Sequence, residues 1–361
     1  MADGGSWRQW SPTVEPAHRP AAHVKQAATA PTDDAVAPPM RGVRPRHVIG
    51  SAVFALVYVL IPWPQMFEAA RGVPMLDRAT YWTQVVTHSL RVDYFSYDSW
   101  LEYVTHEYLW SAALAYTRDA GVPVEVVFNA ISFTFLFFAA LFVIRGARAR
   151  YLILLVNPLI VDLAFSQLRL AAALSILAVA LLCTRKWRLL AIVCLVVAPL
   201  VHTSSLLFIA VYVGARIARR WARREKVARA VLLLLVTGLM VSLVTGPWRT
   251  VLLEAIDDRR ATYGDYSSSF AYLSFWIVLF LLLLLTARHW VTSLEAGFAF
   301  AILASVAFNL ALGGYSTRFL AAAFPFMVIA LARSSREFRI FGVLGFIVYA
   351  AFQWCYWFAV L

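Results

Sequence analysis

The chain has 361 residues, a formal charge of +12, 61% hydrophobic residues and only 14% charged ones, with a mean hydropathy of +0.71. A water-soluble globule of that length needs far more polar surface, so the composition excludes one and calls for a helical protein solvated by lipid. Nucleic-acid binding is also excluded as the meaning of the charge, because the basic residues fall in short loops between apolar runs and in the N-terminal tail, the pattern that sets membrane topology.

Residues 1–46 are rich in Ala, Pro, Thr and charge without apolar periodicity, and are expected to form a disordered cytoplasmic tail. No apolar signal segment precedes the first run, 47–66, which is therefore expected to serve as an uncleaved anchor. Further apolar segments lie near 123–144, 151–166, 169–184, 189–201, 204–216, 230–246, 269–287, 293–311, 319–332 and 341–361. The stretches 230–244, 275–286 and 341–361 are apolar on every helical face, as a lipid-embedded helix must be when its backbone is satisfied internally. The expected fold is all-α, a polytopic transmembrane bundle of about eleven spans over 47–361. Several segments are short for a crossing of about 20 residues, so some must tilt, break or pack behind neighbours. Trp63, Trp187, Trp221, Trp248 and Trp290 sit at run ends, where interfacial belts form. Cys183, Cys194 and Cys355 lie within apolar segments without metal-type spacing and read as small core residues.

Arginine counting orients the bundle. Clusters at Arg41/Arg44/Arg46, Arg145/Arg148/Arg150, Arg185/Lys186/Arg188, 216–229, Arg288 and Arg333/Arg336/Arg339 all fall on one side when the spans alternate, with the N-terminus cytoplasmic. The opposite, periplasmic side then receives 67–122, the turns at Gln167 and His202, 246–268 and 313–317, with most of the acidic residues. This scheme requires the half-apolar stretch 104–118 to stay outside or dip in as an amphipathic or re-entrant helix.

A charge at mid-membrane costs roughly 2.5–3.5 kcal/mol on insertion scales, so polar residues in this background mark candidate sites. Arg169 follows Ser166-Gln167-Leu168 and opens a helix, where free N–H groups and a guanidinium fork suit a phosphate; the plainer reading is an interfacial arginine or a pair with Asp162. His202 follows Pro199 at the head of a Thr-Ser-Ser turn and could be a base, an acid or a hydrogen-bond donor, or only a satisfied polar residue. Gly313-Gly314-Tyr315-Ser316-Thr317-Arg318 repeats the arginine-opened helix, or is a plain turn. Asp77, Tyr81, Asp93, Asp98, Glu102, Glu107 and Tyr108 place carboxylates among aromatic rings, a setting that suits carbohydrate and equally an ordinary solvated loop.

Taken in order, Asp77-x-x-x-Tyr81, Glu107-Tyr108-Leu109, Gln167-Leu-Arg169-Leu-Ala-Ala-Ala, His202-Thr-Ser-Ser and Tyr315-x-x-Arg318 resemble the EpsG family of Wzy-like exopolysaccharide polymerases, over about residues 48–335. Two departures stand out: Tyr108-Leu109 replaces the family's Pro-Gly, and Leu170 stands where Gln is frequent. The resemblance implies a GT-C-like or Wzy-like bundle in a bacterial inner membrane. It implies an enzyme that polymerises polyprenyl-diphosphate-linked repeat units into exopolysaccharide, capsule or O-antigen at the periplasmic face. Gln167, Arg169, Tyr315 and Arg318 would bind the diphosphate, and Asp77, Glu107 or His202 would take the acceptor proton. Tyr81 and Tyr108 would contact glycan, and no metal or cofactor is expected. Implied partners are lipid-linked glycans and membrane lipids, with a chain-length regulator and a flippase. The competing classes are an O-antigen ligase or another polyprenyl-linked glycosyltransferase, and a lipid-linked sugar flippase or transporter.

Overall fold

Among the described residues, the apolar runs are mainly helical. A computed structural model describes residues 42–183, 187–255, 270–314 and 317–359, and every regular element among them is helical. The chain opens with α1 (Pro45–Leu60), starting at a proline in the N-terminal turn where a missing N–H is harmless, and α2 (Trp63–Arg71), which ends at Gly72 in the left-handed region (φ 68°). Four short helices follow: α3 (Leu76–Val86), α4 (Arg91–Tyr94), α5 (Trp100–Thr105) and α6 (Tyr108–Asp119). Then come α7 (Val124–Gly146), a 3₁₀ turn over Ala149–Leu155, α8 (Pro158–Phe165) and α9 (Leu168–Cys183), the last two meeting at a 94° bend. The remainder is α10 (Arg188–Val201), α11 (Ser205–Ala222), α12 (Val227–Thr245), α13 (Arg249–Glu254), α14 (Phe270–Leu285), α15 (Ala287–Trp290), α16 (Leu294–Leu312), α17 (Thr317–Arg333) and α18 (Arg336–Ala359). The tail expected over 1–46 gives way to helix at Pro45, and residues 1–41 lie outside the described residues.

Each of the eleven apolar segments contains helix, but their lengths differ. Five stretches, 45–71, 124–146, 227–245, 294–312 and 336–358, are long and apolar enough to cross a bilayer, or six if the bent α8–α9 pair counts as one. The chain is therefore a helical membrane protein by length and composition. Helix α10, with 14 residues, and α9, with 16, extend only about 21 and 24 Å at ~1.5 Å per residue, short of a hydrocarbon core of ~30 Å. Helix α6 has 12 residues and packs on α10 and α4.

The interior is organised around α16, which touches α11, α12, α14 and α17 and is buried continuously from Ala296 to Val306. Helix α18 instead exposes Phe341, Leu344, Val348 and Phe352, a surface that only lipid solvates well. The α12–α16 contact is backbone-close at Gly238, where an added Cβ would stand 2.7 Å from the Ala301 carbonyl oxygen and 2.7 Å from the Ala304 Cβ. Gly238→Val is accordingly expected to destabilise the bundle by at least about 1–3 kcal/mol, read as a lower detergent-solubilised melting temperature. Gly297→Ala, whose Cβ meets nothing nearer than 3.6 Å, is the silent control.

Side-chain pairs define two ends of this bundle. Arg333 at the end of α17 meets Glu295 at the start of α16 (2.8 Å) and the Gly146 carbonyl at the end of α7 (3.2 Å). At the other end, Arg78 of α3 pairs with Glu125 at the start of α7, and Arg318 at the start of α17 pairs with Asp77 of α3. Helices α3 to α6 cover that second end, through a separate buried cluster in which Tyr81, Leu90, Trp110 and Leu114 pack on Phe128, Leu168 and Val201.

Candidate functional site

Glu107 occupies the junction of α5 and α6 with φ 56°, a left-handed conformation costly for a residue with a Cβ. That conformation turns its carboxylate into the covered end of the bundle, where the side chain is 4% exposed. One oxygen, Oε2, accepts from the Arg169 guanidinium at the start of α9. The other, Oε1, lies 2.5 Å from His202 Nδ1 and 3.3 Å from the Thr203 backbone N–H. Pro199, inside the last turn of α10, leads the chain out of the helix, and His202 follows in an extended conformation. The Thr203 hydroxyl then donates to the Val104 carbonyl (3.1 Å), which latches the α10–α11 turn to the α5–α6 junction.

Arg169 is held on a second side by Tyr81, whose hydroxyl accepts from Nε at 2.7 Å and whose ring lies 5.1 Å from the guanidinium carbon. Two of the five guanidinium N–H groups are thus used, and the rest have no protein partner among the described residues. The side chain is 28% exposed against 4% for Glu107, so the carboxylate sits behind and the cation faces outward. Burial pushes the Tyr81 phenol above its ordinary value; Arg169 opposes the shift, and the Asp77 and Glu107 charges add to it. Tyr81 thus remains a neutral hydrogen-bonding group.

Arg318 and Asp77 form a second pair at 3.0 Å, with the guanidinium again the more exposed partner. Both line a cavity of about 280 Å³ with Asp162, Ser166, Gln167 and Phe67. Gln167 Nε2 donates to the Asp162 carboxylate, and its Oε1 is buried with no hydrogen-bond partner among the described residues. A buried acceptor left open inside a polar cavity is a position for a donor from outside the protein.

The candidates from the sequence thus fall into two adjoining groups: Glu107, Arg169 and His202 with Tyr81, and Asp77 and Arg318 with Gln167. Tyr315 lies outside the described residues. Two readings are corrected. Asp162 engages Gln167 and not Arg169, because the bend between α8 and α9 swings Arg169 toward Glu107. Tyr81 is 5% exposed, so its ring is a brace for Arg169 with no open face on which a sugar could stack. Tyr108 is half-buried, and its ring makes edge-to-face contacts with those of Tyr97 (5.0 Å) and Tyr103 (4.8 Å). Arg78, a buried arginine that donates to the Phe165 carbonyl oxygen at 3.4 Å and pairs with Glu125, is not among the sequence candidates, and its place directly after Asp77 is the one available signal. Among the described residues no group of three or more His, Cys, Asp and Glu is arranged to hold a metal ion.

The cap has its own electrostatic clasp. Arg118 of α6 grips Asp93 of α4 through two hydrogen bonds of 2.9 and 3.1 Å. Hydrogen bonding from Arg118 holds the Asp93 carboxyl below the usual carboxylate range. A depressed carboxyl stabilises the folded state fully above its unfolded value and loses that contribution as pH falls through the folded one. Protection from hydrogen exchange in 91–94 should therefore fall only in acid, below the usual carboxylate range, and Asp93→Asn should lower it at neutral pH but not further in that acid range.

No protein-family model matches the sequence, and no curated protein or solved structure matches it either.

Proposed function

We propose that this chain is a membrane glycosyltransferase that polymerises oligosaccharide repeats carried on a polyprenyl diphosphate, working at the periplasmic face of a bacterial inner membrane. The observation that carries the reading is the outward guanidinium of Arg169, fixed between Glu107 and Tyr81 on the same carboxylate that orients His202. Helix lengths support a recessed site. Measured along α9 from its far end at Cys183, Arg169 stands only about 20 Å away at ~1.5 Å per residue, less than the ~30 Å of a hydrocarbon core. All eleven apolar segments then lie at membrane depth, the short ones ending around a recess that a lipid tail can enter sideways.

In this mechanism Glu107 is ionised and accepts from His202 Nδ1, which leaves the imidazole lone pair at Nε2. His202 Nε2 takes the proton of an acceptor hydroxyl while that oxygen bonds to the anomeric carbon of the growing glycan. The bond from that carbon to the diphosphate breaks, and the lipid diphosphate leaves with the electron pair, its charge met by Arg169 and Arg318. Gln167 Oε1 accepts from a sugar hydroxyl or from the protonated diphosphate. Asp77 holds Arg318 in place.

A deletion strain tests the reading by gel analysis of its surface polysaccharide and by the leaflet of its lipid-linked intermediates. The expected result is a ladder reduced to single repeats that have reached the outer leaflet. Repeats trapped on the inner leaflet would identify a flippase, and lipid-linked polymer of normal length that is not passed on would identify a ligase. An unchanged ladder would remove the polysaccharide reading altogether.

A further inference from the structure

A larger cavity, about 880 Å³, lies toward the opposite end of the bundle from the carboxylate–arginine site. Its deep wall is apolar, with Phe135, Phe138 and Phe142 of α7 facing Leu177 of α9 and Phe326 of α17. Its mouth is basic. Arg145, Arg216, Arg219, Arg223 and Arg333 line it against a single carboxylate, Glu295, which Arg333 already engages at 2.8 Å. From Phe135 to Arg145 is ten residues of one helix, so apolar wall and cationic mouth are separated by about 15 Å at ~1.5 Å per residue.

Arg216 and Arg219 of α11 and Arg223, the residue that caps it, follow at three- and four-residue intervals and share one face of the helix end. Like charges so spaced repel, and none of the three is in an ion pair among the described residues. The Nε of Arg219 is buried with no hydrogen-bond partner among the described residues. Basic residues at a cytoplasmic membrane surface usually spread over loops. Here they line the mouth of an internal cavity whose size matches a ligand pocket, roughly 300–1,000 Å³.

We propose that this cavity binds an anionic phospholipid, with an acyl tail against the phenylalanines of α7 and the phosphate among Arg216, Arg219 and Arg223. A free phosphate would fill only the mouth and leave the apolar wall empty; a zwitterionic lipid would bring its own cation into a mouth already lined by five arginines. The combination of tail and negative headgroup satisfies both. This site is independent of the proposed polymerisation, because none of its residues belongs to the group around Glu107.

The full-length protein, delipidated in detergent, provides the test by native mass spectrometry with added phosphatidylglycerol, phosphatidylcholine or inorganic phosphate. Phosphatidylglycerol should be retained at least about tenfold better than phosphatidylcholine, and millimolar phosphate should not displace it. The triple variant Arg216→Gln, Arg219→Gln, Arg223→Gln should lose that preference, and Leu177→Trp, which fills the apolar wall, should weaken retention of both lipids. Equal retention of the two lipids by the unaltered protein would overturn the proposal, whether or not the variants fold. Displacement of phosphatidylglycerol by inorganic phosphate would overturn it in favour of a soluble anion.

Discussion

Glu107→Gln is expected to abolish polymer and to lower the yield of folded protein together. The carboxylate is buried, and Arg169, His202 and the Thr203 N–H converge on it. Glutamine keeps the shape but removes the charge, and its amide N–H₂ would confront a guanidinium or an imidazole N–H, donor against donor. Breaking a buried pair by removing one partner costs about 3–5 kcal/mol, because the other charge stays behind without compensation. A base that has lost its orienting carboxylate gives up a further 10²–10⁴ in rate, roughly. Stability and chemistry can be separated with Glu107→Gly. Glycine removes the penalty of the positive φ yet supplies no carboxylate, so Gly should melt above Gln if backbone strain matters while both give only single repeats. A Gln variant with an unshifted melting temperature and a full ladder would show that Glu107 holds nothing together.

How far the sequence discloses this arrangement depends on what kind of residue carries it. Arg169, His202 and Arg318 stand out because each interrupts an apolar background, where a charge must be matched by something. Apart from the resemblance at Glu107-Tyr108-Leu109, Glu107 is one acid among several in a soluble-looking stretch, and nothing local indicates that it, and not Glu102 or Asp98, is drawn inward. That choice is made by its left-handed backbone and by the latch from Thr203, contacts across 95 residues or more. The eleven apolar runs are legible as helices, whereas their lengths mislead. A run such as 151–166 reads as one span, but Asn157 caps α8 through the Leu159 N–H at 2.9 Å, so the chain restarts a helix in mid-run. The bend after Phe165, which carries Arg169 away from Asp162, also leaves no compositional trace, because hydropathy is blind to direction.

The two arginines are expected to fail in different ways, although the proposed mechanism gives them the same task. Arg318→Ala frees an Asp77 side chain that is 23% exposed, and water can take over part of its solvation. The pair is partly exposed, so its loss should cost no more than about 1 kcal/mol of stability, with a melting temperature near that of the unaltered protein. Arg169→Ala strands a Glu107 that is 4% exposed and removes the brace on Tyr81, so it should lower stability as well as activity. On the product ladder each single variant should shorten chains sharply, since loss of one charge-stabilising group commonly costs about 10²–10³ in rate, and the double variant should leave single repeats. Lysine separates charge from geometry at both positions. Arg169→Lys keeps a cation but loses the planar fork that meets Tyr81 and Glu107 from separate nitrogens, so activity should fall nearly as far as with alanine. Arg318→Lys, at a more exposed position where an ammonium can still meet Asp77, should retain more. If instead the double alanine variant, at normal membrane abundance, still made long polymer, the guanidiniums would have no part in stabilising a departing diphosphate. The recess they line would then need another occupant.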